Sequence, residues 1–163
     1  MNRWETEPFY MDIGGDYMEL NKQNPLLASW LAFTSIQEKA ANELENALQA
    51  AHQLSLREFY VLLFLAQASE KKLRLQQLQE MVNLSQSALS RLVARMEAKS
   101  CGALERHICQ DDRRGIYTSL TASGEEKFAK AKNTFQQTLN ETLKKDEVYQ
   151  GLTQLVKELE NYK

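Results

Sequence analysis

The chain is poor in the residues from which several classes of function are built. Its 163 residues include two cysteines, two histidines, six glycines and two prolines. Cys101 and Cys109 do not form a CxxC pair and follow no secretory signal, which excludes a disulfide scaffold and predicts two reduced thiols. Cys101, His107 and Cys109 are soft ligands within "CGALERHIC", but their spacing matches no zinc motif and no metal is expected. HExxH, GxSxG and a phosphate-cradling glycine loop are all missing. The chain is therefore not expected to be an enzyme or to need a cofactor. It also lacks an apolar run of about 18 residues, and "MNRWETEPFYMDIGGDY" mixes acids and aromatics where a signal peptide needs a basic start and an apolar stretch. A cytoplasmic protein with no membrane partner is expected.

What is present is ordinary globular material, 43% hydrophobic and 26% charged, enough for one core in one integrated domain. The net charge of −2 argues against a generic polyanion binder, but the charge is unevenly placed. Residues 71–114 carry nine basic side chains against five acidic ones, a segment of +4 between flanks that total −6. A basic module between acidic flanks is expected.

Apolar residues recur at helical spacing from Asn24 to Ala51, at Leu27, Trp30, Leu31, Leu44 and Leu48 among others. Residues 1–23 read as an N-terminal extension. Ser55 begins a second helix, because "SLRE" has a hydroxyl first and a carboxylate three residues later, the capping-box arrangement. "LREFYVLLFLAQA" is apolar on nearly all sides and is predicted to be central core. After it, Leu75, Leu78 and Met81 give a short helix, Asn83 suits a turn, and Ser85 caps a helix running to about Lys99. Two short helices joined by a tight polar turn form a helix-turn-helix.

On its second helix, Leu89, Leu92, Val93 and Met96 fall within one arc of about 100°. The opposite arc holds Gln86, Ser87, Ser90, Arg91 and Ala94, with Arg95 at its border. Small hydroxyls and an amide near a helix start, with arginine behind them, suit entry into a DNA major groove. Ser85, Gln86, Ser87, Ser90, Arg91 and Arg95 are accordingly candidate DNA contacts. "ALERHICQ" and "GIYTSL" alternate as strands, and "DDRRG" between them is a polar hairpin tip. Such a hairpin after a recognition helix is a wing. Arg113 and Arg114 at its tip would meet phosphates or the minor groove, and Asp112 would hold an arginine extended.

"SQSALSRLVARMEAK" and "DDRRGIYTSLTASG" resemble the MarR-type winged helix-turn-helix transcription regulators over about Ser55 to Gly124. The family's wing reads Asp-x-Arg or Asp-Arg-Arg followed by Leu-Thr-x-x-Gly. In "KSCGALER" this chain is two residues longer, at Ser100 and Cys101, than the family's usual sequence. The resemblance implies a mainly α fold with a small β wing. It would comprise a dimerisation helix (24–52), a winged module (53–120) and C-terminal dimerisation helices (121–163), the last beginning at a Thr121 cap. It implies a homodimeric repressor of a near-palindromic double-stranded DNA operator, released by a small, often aromatic ligand or by oxidant. Ligand candidates are Trp30, Phe33, Phe59 and Tyr60, although aromatic residues at helical spacing are more often plain core, and the redox candidates are Cys101 and Cys109. A winged module that binds protein without ligand response is the alternative.

Overall fold

The computed structural model describes residues 24–97, 102–108 and 116–143, with Leu152 and Lys157 as further helical positions. Two compact units follow one another along the chain, residues 1–39 and 40–163. Helix α1 (Pro25–His52) starts at Asn24, whose Oδ1 accepts the Leu27 N–H at 3.1 Å. Proline at the first helical position loses only an N–H that the helix could not use. In the first unit Ala28 is buried, while several large apolar side chains of α1 stand in solvent, with Leu26, Trp30 and Phe33 81%, 61% and 44% exposed. Their i, i+4, i+7 spacing makes them one stripe.

The second unit holds the core. Helix α2 (Leu56–Gln67) begins with the predicted capping box: Ser55 Oγ accepts the Glu58 N–H at 3.2 Å, and Glu58 Oε2 accepts the Ser55 N–H at 2.9 Å. Phe59, Val61, Leu62 and Leu65 of α2 are buried in a cluster with Leu48, Leu78, Leu89, Val93 and Met96. His52, at the end of α1, lies 2.8 Å from Thr134 Oγ1 through its Nε2.

The remaining elements are β1 (Lys72–Arg74), α3 (Leu75–Val82), α4 (Gln86–Glu97), β2 (Leu104–Ile108), β3 (Ile116–Leu120) and α5 (Ala122–Leu143). The strands form an antiparallel sheet in the order β1-β3-β2. Leu104 opposes Leu120 and Ile108 opposes Ile116, which is the predicted hairpin, while Leu73 opposes Thr118. Strand β1 is not visible as a pattern, because three residues are too few for an alternation and pairing with β3 creates it. Met81 also departs from expectation. It is 46% exposed, and Val82, one helical turn beyond Leu78, is buried in its stead.

The corner between β3 and α5 explains the Leu-Thr-x-x-Gly run. Leu120 is buried. Thr121 Oγ1 accepts the Gly124 N–H at 3.0 Å as a helix cap and donates to the Gly102 carbonyl, while the Thr121 N–H reaches the Ala103 carbonyl at 3.1 Å. Gly124 lies so close to the chain before β2 that a Cβ would sit 2.1 Å from the Ala103 carbonyl oxygen. Further along α5, Phe128 and Phe135 pack on the core, with Phe135 stacked on Phe59 at 4.5 Å. These two aromatic side chains of α5 are therefore covered within the chain.

Two opposite effects on stability are expected in urea titrations. Gly124→Ala should cost about 1–3 kcal/mol, because backbone, not a movable side chain, blocks the new methyl. Thr118 is fully buried and its Oγ1 has no hydrogen-bond partner among the described residues. Thr118→Val should therefore raise stability, by up to about 1 kcal/mol, by removing a desolvated hydroxyl at nearly constant shape.

Candidate nucleic-acid interface

Helix α3 stops because Asn83 takes the left-handed conformation, φ 51° and ψ 55°, which asparagine tolerates better than most residues. The carbonyl of Val82, left over at that helix end, accepts a 2.8 Å hydrogen bond from Arg57 Nη1 on α2. Two residues later Ser85 Oγ accepts the Ala88 N–H at 3.3 Å and starts α4. The turn is thus closed by an asparagine, a serine and an arginine from a neighbouring helix.

Burial of one face orients α4. Leu89 and Val93 are fully buried, and Met96 and Leu92 are 1% and 5% exposed. Ser85, Gln86, Ser87, Arg91, Ala94 and Arg95 are exposed, and Ser90 is half-buried. All six candidate side chains of this segment therefore lie on or at the edge of its outward side. Arg95 is not equivalent to Arg91, because its Nη2 is 3.3 Å from Glu58 Oε1. Glu58 thus serves both the α2 cap and Arg95, a double role that no local motif announces.

The hairpin β2–β3 stands beside α4. Arg106 on β2 pairs with Glu97 in the last turn of α4 at 2.5 Å, with the glutamate side chain only 19% exposed. This pair ties the wing strand to the helix. Asp112, Arg113 and Arg114, as well as Cys101 and Cys109, lie outside the described residues. His107 Nε2 is 2.8 Å from Ser119 Oγ and 3.3 Å from Glu105 Oε1 on the outer face of the sheet.

Two of the aromatic candidates lie in each unit. Trp30 and Phe33 are exposed in the first unit, their rings 6.3 Å apart. Phe59 is 1% exposed and packs as core. Tyr60 is half-buried, and desolvation of its phenolate holds its pKa above the ordinary tyrosine value, opposed by the charge of Arg57. Arg74 and Tyr117 were not suggested by any motif. Arg74 Nε donates to Tyr117 Oη at 2.7 Å, beside a cleft of about 440 Å³ between α3, Gln86 and Ile116. Among the described residues no helix is long and apolar enough to cross a membrane.

Residues 52–115 match the family model of the MarR family. No curated protein sequence matches the chain. Among solved structures, it is similar to AbsC, a MarR family transcriptional regulator from Streptomyces coelicolor. The TM-score is 0.74 at 24% identity, covering 85% of this chain and 92% of that one. It is also similar to Sco3205, a MarR family regulator from the same organism solved in complex with DNA. There the TM-score is 0.72 at 21% identity, covering 83% and 86%. A mutant MarR from E. coli complexed with operator DNA matches with a TM-score of 0.67 at 22% identity, covering 86% and 96%. These likenesses establish a winged-helix fold, mostly helical with its small antiparallel sheet.

The Glu97–Arg106 pair generates a measurable expectation. Arg106→Gln should lower unfolding stability by about 1 kcal/mol, because it leaves a mostly buried carboxylate without its cation. Adding Glu97→Gln should recover part of that loss, and the two single variants and the double variant compared by urea titration check it.

Proposed function

We propose, for a chain whose winged helix-turn-helix module belongs to the MarR family, that it is a sequence-specific double-stranded DNA-binding transcription regulator. It acts as a homodimeric repressor, released from a near-palindromic operator by a small ligand or an oxidant. The observation that carries this reading is the division of α4. Four apolar side chains lock one face into the core, and Gln86, Ser87 and Arg91 stand exposed on the other. A helix held this way beside an antiparallel hairpin has the shape of a major-groove reader. Its short polar residues approach base edges without filling the groove, and Arg91 is long enough for a bidentate contact with guanine. The wing tip supplies Arg113 and Arg114 to phosphates or the minor groove, with Asp112 orienting one of them.

The uncovered stripe at Leu26, Trp30 and Phe33 supports pairing of two copies, since a contiguous exposed apolar face marks an interaction surface. Two-fold pairing sets the recognition helices about 34 Å apart, one turn of DNA. Release belongs to the same proposal, through a ligand near Trp30, Phe33 or Tyr60 or through oxidation of Cys101 or Cys109.

Duplex titrations at several salt concentrations test the DNA reading. Arg91→Ala should lose about 1–3 kcal/mol on operator DNA and relax discrimination, whereas Arg113→Ala should weaken all duplexes evenly and reduce the salt slope by about 1. Wild-type affinity and discrimination in both variants would sink the assignment. In sedimentation experiments Trp30→Glu should convert the dimer to monomer, and operator affinity should fall at least about tenfold as the second half-site is lost.

A further inference from the structure

We propose that Arg74 is a contact to the DNA sugar-phosphate backbone and that Tyr117 positions it, an inference that rests on the duplex-binding reading above. A helix in the major groove and a hairpin directed at the neighbouring minor groove straddle a single sugar-phosphate strand, because that strand is the wall between the two grooves. A side chain seated in the gap between helix and hairpin therefore faces phosphate. Here the gap is the 440 Å³ cleft, bounded by Gln86, the first residue of α4, and by Ile116, the first residue of β3. Arg74 enters it from the junction of β1 and α3 and is exposed. Among the described residues that line the cleft, it is the one cation, against one acid, Glu80.

The geometry of Arg74 is prearranged for an anion. Its Nε donates to Tyr117 Oη at 2.7 Å, and its guanidinium carbon lies 5.4 Å from the centre of the Tyr117 ring. A hydrogen bond and a cation–π contact to the same side chain hold the guanidinium in one pose. Meeting a phosphate then costs less rotamer entropy than for a freely rotating arginine. Register supplies the partner: Arg74 opposes Tyr117 across β1 and β3, so the three-residue strand that has no sequence signature is what brings the two together. Tyr117 acts through Arg74 and is a positioning residue.

The test is a titration of a random-sequence 30-base-pair duplex with the full chain over a range of salt, since a phosphate contact needs no operator. Arg74→Gln should weaken binding about tenfold at low salt and lower the slope of log affinity against log salt by about 0.9, the share of one neutralised phosphate. Tyr117→Phe keeps the ring and the charge. It should weaken binding a few-fold at an unchanged slope. In the wild type, phenylglyoxal modification of Arg74 read by mass spectrometry should fall when duplex is added, a measurement that no variant's folding affects. Wild-type slope and affinity in Arg74→Gln, or modification of Arg74 undiminished by bound duplex, overturns this inference and leaves duplex binding intact. Failure of the wild type to bind any duplex would remove both.

Discussion

The inward stripe of α4 is the constraint on which the interface depends. Leu89, Leu92, Val93 and Met96 each bury nearly all of their surface, at about 1.5–3 kcal/mol per side chain. Successive helical residues are 100° apart, so a slip of one position would expose part of that apolar set and turn Arg91 and Ser87 toward the core. The outward direction of the polar set follows from this penalty, not from any preference of serine or glutamine for solvent.

A second set of contacts fixes the hairpin against the same core. Thr121 and Gly124 join the end of β3 to the chain before β2 through two hydrogen bonds to the Gly102 and Ala103 carbonyls and a close backbone approach. Arg106 joins β2 to the last turn of α4. The wing is thus anchored at its base by backbone packing and along one strand by an ion pair.

Much of this was legible in the residues, and the parts that were not share a cause. The Ser55 capping box, the Ser85 cap, the two faces of α4 and the paired strands each depend on neighbours within a few positions, so local chemistry predicts them. Strand β1 is three residues long and exists because β3 is there to pair with it. Met81 and Val82 exchange roles because the direction of the core, not periodicity, decides which of two adjacent apolar residues is covered. Phe135 lies in the segment expected to pair with a second copy, yet Phe59 is placed under it. The shared duty of Glu58, between its own helix cap and Arg95, likewise joins residues 37 positions apart.

The amino-acid order alone determined the helices, the turn between α3 and α4, the hairpin and the polar face offered outward, since each rests on hydrogen bonds or apolar periods spanning a few residues. Only the tertiary arrangement decided that Arg74 lies on Tyr117, that Arg95 is held by Glu58, and that Gly124 must remain without a side chain. Those outcomes depend on distances between segments far apart in the chain, and such distances are set by how the whole core closes.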